Sequence, residues 1–183
     1  LHLIENFVDT SIYNPFNCKK PPKLFKKTND QFVFTYAGNI GVYQDWNPVI
    51  YAAKKLKDLN IVFWIIGEGS KKDELIEKIN QNSLDNILIF PYQSREVIPS
   101  IINNSDCHFI SVDEKMHSFG FPSKVYTIMA CKKPLIVISD FESPLSNFLK
   151  NKDCAEIIDF ENKNENFTNA LIKIYRNDKL RNK

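Results

Sequence analysis

Residues 31–67 have the sequence QFVFTYAGNIGVYQDWNPVIYAAKKLKDLNIVFWIIG, and this stretch decides the fold. Its first part, QFVFTYA at 31–37, is rich in β-branched and aromatic residues and predicts a strand. A helix with Asp45 as candidate N-cap follows, because apolar residues recur at helical spacing at Val49, Ile50, Ala53 and Leu56. IVFWIIG, at 61–67, is a continuous apolar run closed by glycine, which is typical of a strand buried on both faces of a parallel sheet. The stretch therefore predicts a β-α-β unit.

The same alternation continues towards the C-terminus. The pattern predicts four further strands, at 86–90, 106–112, 134–139 and 155–160, and five further helices, at 70–81, 99–105, 122–130, 143–151 and 164–176. In the first of these helices Ser70 is the candidate N-cap and Asp73 takes the capping-box position. Six strands joined by helical crossovers predict an α/β fold with a doubly wound, Rossmann-like parallel sheet. The expected order is 3-2-1-4-5-6, which the pattern alone does not determine. Ligands of such sheets bind beyond the carboxyl ends of the strands, so the loops there form the candidate site.

The first 30 residues differ from the rest of the chain. They are rich in Asn, Lys and Pro and lack sustained periodicity. We predict that residues 1–30 are an extended connector that lies over the surface, and that residues 31–183 form the folded domain. Because the chain begins at Leu1 and not at a methionine, we expect it to be part of a longer protein or to have had residues trimmed.

Composition argues against several classes of protein. The net charge is only +2 and the basic residues are spread along the chain, which disfavours nucleic-acid binding. No run approaches the roughly 20 apolar residues that cross a bilayer. The four cysteines form no C-x-x-C pair and have no histidine at ligand spacing, which predicts a reduced, cytoplasmic protein without a zinc site. The basic stretch KIYRNDKLRNK near the C-terminus is either a solvated helix end or a segment attracted to a membrane surface.

Two of the loops after strands contain closely spaced glycines. Gly38 and Gly41 let the backbone approach a ligand closely, although the same spacing also suits a plain turn. The loop lacks the G-x-G-x-x-G spacing and no acidic residue ends the second strand, which disfavours a dinucleotide site. Gly67 and Gly69 lead into a lysine pair at 71–72, and this turn either holds a phosphate or only joins a strand to a helix.

Two other loops carry aromatic and charged groups. The loop at 90–93 forms a stiff wall for a planar base, or else packs Tyr92 under a neighbouring helix. The loop at 117–124 leads into a helix with Ser123 and Lys124 at its N-terminus, where amides, helix dipole and ammonium can together hold a diphosphate. A lysine in a first helical turn opposes the dipole, which a bound anion would explain, and the alternative is a lysine that is simply solvated. His117 is a candidate contact to a sugar hydroxyl, or an ordinary loop histidine.

Taken together, these loops resemble one family. YAGNIGVYQDW, IIGEGS, NILIFPYQSREVIPSIINNSD and GFPSKVYTIMACKKPLIVISD are similar, in this order, to the C-terminal domain of retaining glycosyltransferases with the GT-B fold. The most similar group builds bacterial surface polysaccharides. IENFVDTSIYNP resembles the connector between the two domains of these enzymes, so the resemblance covers nearly the whole chain.

The resemblance implies a set of site residues. Where the family has Gly-Arg and, five residues later, Lys to grip the diphosphate, this sequence has Asn39 and Gln44, so that the diphosphate-binding set becomes Gly38, Asn39, Ile40, Gly41, Gln44, Ser123 and Lys124. The implied nucleobase and ribose contacts are Gly67, Phe90, Pro91, Tyr92, Gln93 and Thr127. The family's Glu-x7-Glu element is replaced at both glutamates, by His117 and Thr127, and the implied sugar contacts are His117, Phe119 and Gly120. Glu142 matches a further family position near the donor.

The reaction implied by the resemblance is transfer of a sugar from a nucleoside diphosphate sugar, with UDP as the nucleotide, to an acceptor hydroxyl, without a metal or other cofactor. The acceptor, a lipid-linked one included, would bind the missing N-terminal domain of the same chain, so the present chain is expected to be inactive alone. A cytoplasmic protein, or one peripheral to the inner face of the membrane, fits this role. Two alternatives remain: a nucleotide-sugar 2-epimerase of the same architecture, and a non-catalytic nucleotide-binding module.

Overall fold

The computed structural model describes residues 6–16, 20–111, 114 and 121–177. The strands are β1 (Phe32–Ala37), β2 (Ile61–Ile66), β3 (Ile87–Phe90), β4 (Cys107–Ser111), β5 (Leu135–Ile138) and β6 (Ala155–Ile158). The helices are α1 (Asn47–Lys55), α2 (Lys72–Gln81), α3 (Ile98–Asn104), α4 (Lys124–Ala130), α5 (Pro144–Leu149) and α6 (Lys163–Tyr175). All these strands lie in one parallel sheet in the order β3-β2-β1-β4-β5-β6, which confirms the predicted architecture and strand order.

The alternation of side chains along each strand divides the core into two layers. On one face, Phe34 packs against Phe63 and Phe167, and α1, α2 and α6 cover this layer. On the other face, α3 covers the β1–β2 half of the sheet, whereas α4 and α5 cover the β4–β5 half. Because the apolar strands are buried on both faces, they need no polar side, as their continuous apolar runs predict.

Two helix starts differ from the prediction. The N-cap residue of α1 is Trp46 and not Asp45, although the Asp45 carboxylate accepts a hydrogen bond of 2.9 Å from the Asn47 amide. Ser70 is not the N-cap of α2 either, because the helix begins at Lys72 and Lys71 takes that position. The Lys71 amide donates to the Ile40 carbonyl at 2.9 Å, so a contact between two loops sets the start of α2.

The predicted connector is more closely packed than expected. Phe25 is only 4% exposed and its ring packs on Phe90 and Trp64, with centroids 4.3 and 5.3 Å away. Lys27 forms an ion pair of 2.5 Å with Asp106, whose carboxylate also accepts a hydrogen bond of 2.7 Å from the Val33 amide in β1. Residues around Phe25 therefore belong to the packed domain and do not merely lie over its surface. Within the described ranges, no helix is long and apolar enough to cross a membrane.

Candidate functional site

A cavity of about 570 Å³ lies where β1 and β4 run side by side, beneath α3 and α4. This is the switch point of the sheet, because the chain leaves β1 towards β2 on one side and leaves β4 towards β5 on the other. The walls come from the ends of β1 and β2, from the loop after β3, from α3, β4 and α4, and from residues 6–9 and 13 of the connector. The cavity therefore occupies the place at which parallel sheets of this kind bind ligands.

Lys124 brings a positive charge to this cavity. Its Nζ lies 4.2 Å from the centroid of the Tyr36 ring and directly above Gly38, where a Cβ would come within 2.7 Å of it. Burial lowers the pKa of Lys124 to about 8. Among the described residues, Lys124 has no carboxylate partner within ion-pair distance. A desolvated ammonium that lies against an aromatic face is well suited to bind an anionic group of a ligand.

The sequence around Lys124 accounts for its position. Ser123 is the N-cap residue of α4 and Lys124 is its first residue, as predicted, and both line the cavity. The glycine at position 38 leaves room for the ammonium, since any side chain there would occupy the same space. The Tyr36 ring is held by edge-to-face packing on Trp46 and by a hydrogen bond of 2.7 Å from its hydroxyl to the Asn39 carbonyl. Lys124 is therefore seated on a rigid support.

Most backbone amides of the loop after β1 already donate hydrogen bonds within the protein. The Gly38 amide donates to the Ile66 carbonyl at the end of β2 (2.9 Å), and the Ile40 amide donates to the Glu68 carbonyl in the loop after β2 (2.8 Å). The Gly41 amide donates to Oε1 of Gln44 at 2.9 Å. Of the amides between Gly38 and Gly41, that of Asn39 alone makes no hydrogen bond with the described part of the chain. Any phosphate contact by this backbone therefore depends on Asn39.

The glycines of the loop after β2 are explained by packing. A Cβ on Gly67 would lie 1.8 Å from the Gly38 carbonyl oxygen, and one on Gly69 would lie 2.2 Å from that of Ile40. Both backbones thus run too close to the loop after β1 to admit a side chain. The lysine pair that follows is engaged in ion pairs, Lys71 with Glu74 and Lys72 with Glu68. This turn has a structural reason for its glycines without any ligand.

The loop after β3 divides into a core residue and wall residues. Phe90 is buried against Phe25 and Trp64 and does not reach the cavity. Tyr92 is 70% exposed and, with Gln93, lines the cavity. The Gln93 side chain donates from Nε2 to the Pro91 carbonyl at 2.9 Å. Tyr92 therefore does not pack under a neighbouring helix, and its ring is available to a ligand.

The other predicted residues fall into three groups. Thr127 lines the cavity and donates its hydroxyl proton to the Lys124 carbonyl at 2.9 Å. The cavity walls do not include Asn39, Ile40, Gly41, Gln44, Gly67, Phe90 or Pro91. The predicted sugar contacts His117, Phe119 and Gly120 lie outside the described residues. Glu142 forms an ion pair of 3.1 Å with Lys150 and is not part of the cavity wall.

Sequence reasoning missed several residues of the cavity wall. Arg95 brings a second cation from the segment between β3 and α3, and His108 enters from the interior of β4. Tyr13 and Asp9 come from the connector, which is held against α3 by a hydrogen bond of 2.9 Å from Asn103 to the Asn14 carbonyl. The connector turn itself is started by Asp9, whose carboxylate accepts from the amide and the hydroxyl of Ser11. No local pattern marks these residues, because tertiary packing alone brings them to the cavity.

No group of three or more His, Cys, Asp or Glu side chains in the described ranges is arranged to hold a metal ion. The prediction that the site works without a metal or other cofactor stays a prediction.

Comparison with known proteins adds the family. The chain is 35% identical over 98 residues to the putative colanic acid biosynthesis glycosyl transferase WcaI of Escherichia coli, a match that covers 54% of this chain and 24% of that protein. The matched segment therefore spans only about a quarter of the length of this relative.

Two solved structures share the fold. An S. aureus TarM variant in complex with fondaparinux, α-GlcNAc-glycerol and UDP superposes with a TM-score of 0.72 at 18% identity, over 98% of this chain and 33% of that one. The C-terminal domain of LpcC, a group 1 glycosyl transferase family protein of Francisella tularensis, gives a TM-score of 0.67 at 21% identity, over 95% of this chain and 90% of that domain. A family model described as glycosyl transferases group 1 matches residues 19–183, and the chain belongs to this family.

Proposed function

We propose that this chain is the donor-binding domain of a glycosyltransferase that moves a sugar from a nucleoside diphosphate sugar to an acceptor in the synthesis of a surface polysaccharide or glycoconjugate. The observation that carries the proposal is the Lys124 ammonium, which lines the switch-point cavity beside Gly38 without a carboxylate partner among the described residues. UDP is the nucleotide we propose, and the UDP-bound state of the structurally similar TarM supports this choice.

The chemistry follows from the charges of the cavity. Breaking the bond between the sugar and the diphosphate leaves negative charge on the diphosphate. A fixed cation beside that charge stabilises the transition state without forming a covalent bond to the substrate. Lys124 has this role in the proposal, and Arg95 is the second cation on the cavity wall. These two residues replace the cations that the resemblance places at Asn39 and Gln44.

The rest of the proposed protein contributes the other half of the reaction. The acceptor binds a further domain of the same protein, and closure of that domain over the cavity completes the site. The present chain alone is then expected to bind the donor weakly and to show no transferase activity. In this proposal the enzyme works in the cytoplasm or at the inner face of a membrane, where a lipid-linked acceptor is within reach.

Calorimetry of the chain with UDP, GDP and ADP tests the proposal. We expect heat of binding with a preference for UDP, and no heat with any of the three would contradict the donor-site assignment. Lys124→Ala should weaken UDP binding by about 1.5–3 kcal/mol, the scale of a charge-assisted hydrogen bond. Lys133→Ala is the matched control, because burial also lowers the pKa of Lys133, but this residue lines a separate cavity next to Pro134. Equal losses in both variants would show that Lys124 does not contact the diphosphate.

A further inference from the structure

His108 is a buried polar residue on the floor of the candidate site. It lies on β4 opposite Thr35 of β1, on the face of the sheet that α3 and α4 cover. It is 2% exposed and yet lines the cavity. Side chains at such strand positions are usually apolar, and a histidine there needs a hydrogen-bond partner for each ring nitrogen.

One ring nitrogen has a partner in the protein. Nε2 lies 3.3 Å from the carbonyl oxygen of Ile102, in α3. A carbonyl oxygen only accepts hydrogen bonds, so the proton must be on Nε2. Nδ1 has no hydrogen-bond partner among the described residues. The ring is therefore bonded to α3 through Nε2, and Nδ1 is left without a partner from the described residues.

The charge state of the imidazole determines whether Nδ1 of His108 is a hydrogen-bond donor or an acceptor. Burial, together with the positive charges of Lys133 and Lys124, lowers the pKa of His108 to about 3. At neutral pH the imidazole is uncharged. With its single proton on Nε2, Nδ1 has a free lone pair and acts only as an acceptor.

The cavity wall consequently carries two groups of opposite hydrogen-bonding character. Lys124 offers only donors and a positive charge, which suit a phosphate. His108 offers an acceptor, which repels a phosphate oxygen and suits an O–H or N–H group. His108 is bonded to α3, which follows the loop that carries Tyr92 and Gln93. The bond to α3 thus holds the imidazole in the same cavity wall as the residues expected to contact the nucleoside.

We propose that His108 is a specificity-determining residue of this site, whose Nδ1 accepts a hydrogen bond from a hydroxyl or ring N–H of the nucleoside while Lys124 holds the diphosphate. The proposal rests on the proposed function, because it assumes that the cavity binds a nucleoside diphosphate. The family resemblance assigns no ligand contact to His108.

Changes to the ligand test the proposal without altering the protein. Calorimetry compares UDP with 2′-deoxy-UDP, 3′-deoxy-UDP, N3-methyl-UDP and inorganic pyrophosphate. We expect that the native chain binds one of the three analogues about tenfold more weakly than UDP. The analogue that lacks the donor would bury Nδ1 without a hydrogen bond, and the free-energy penalty for this corresponds to about that loss of affinity. His108→Leu should bind UDP and that analogue equally, and should keep its affinity for pyrophosphate.

Two further variants test whether the acceptor on His108 is itself the cause of the discrimination. His108→Asn places an amide oxygen near the position of Nδ1 and should restore part of the discrimination that His108→Leu loses. Thr127→Val is the control for the other acceptor on the cavity wall. The Thr127 hydroxyl donates its proton to the Lys124 carbonyl, so towards a ligand it can act only as an acceptor. If Thr127→Val and not His108→Leu abolishes the discrimination, the assignment to His108 is wrong.

The possible failures are distinguishable. If the native chain binds neither UDP nor pyrophosphate, the proposed function fails and the inference with it. If the native chain binds UDP but treats all the analogues as UDP, the proposed function stands and the role of His108 is refuted. Imidazole ¹⁵N shifts of the native chain give an independent measure, and a proton found on Nδ1 would also overturn the proposal.

Discussion

At the scale of single residues, Lys124 combines a charge with an environment that opposes it. Burial against Tyr36 and Gly38 lowers its pKa to about 8, because removal of water disfavours the ammonium. The unliganded protein therefore loses this charge as the pH rises through about 8. The groups beside it do not titrate there, since burial raises the pKa of Tyr36 and lowers that of His108 to about 3.

UDP affinity should accordingly decrease as the pH rises from about 7 to 9.5, and calorimetry across this range measures it. Lys124→Gln should bind more weakly and show a flat profile. Global unfolding would not explain a loss of binding, because the unfolded lysine has a pKa of about 10.4 and holds more protons than the folded one above pH 8. By linkage, this residue makes the fold more stable as the pH rises through that window. A flat profile for the native chain would contradict the role of Lys124.

At the scale of elements, the first two loops after strands act as one unit. Hydrogen bonds from Gly38 to Ile66 and from Ile40 to Glu68 continue the β1–β2 pairing beyond the ends of the strands. Gly67 makes this approach possible, because its φ of +150° and its contact with the Gly38 carbonyl both exclude a side chain. The support beneath Lys124 therefore depends on a glycine that does not line the cavity.

Gly67→Ala should lower the free energy of unfolding by about 1–3 kcal/mol or more, because the added Cβ would force the Gly38 carbonyl to move. This is the usual cost of overpacking. Gly41→Ala is the matched control. Its Cβ would meet the amide of the Asn39 side chain at 2.6 Å, and this side chain can rotate away. Urea denaturation of both variants measures the difference, and an equal effect would show that the two loops are not closely coupled.

At the scale of the whole molecule, the connector is part of the domain and of its cavity. Phe25 completes the core beneath α3, and residues 6–9 form part of the cavity wall. Residues 6–9 of the connector therefore contact the site directly.

Phe25→Ala should cost about 3–5 kcal/mol of stability, as expected for a large aromatic residue lost from a core. Phe16→Ala serves as the control from the same segment, because Phe16 is 84% exposed and its loss should change the stability by less than about 0.5 kcal/mol. Urea unfolding of the two variants tests this directly. A small effect of Phe25→Ala would restore the prediction of a connector that merely lies over the surface.

The sequence by itself determined the six strands, the helices that join them and the position of Lys124 at the start of α4, because these follow from local periodicity and the residues that end a strand. The strand order was expected from the fold class, but the pattern does not determine it and the structure shows it. Only the tertiary structure decided which groups are free to bind a ligand. The amides of Gly38, Ile40 and Gly41 have protein acceptors, and this follows from how closely two loops pack. The burial of Phe25 and the single protein partner of His108 likewise depend on segments brought together by folding. A hydrogen-bonding group is available only where packing leaves it without a partner, and residue type and spacing do not encode that.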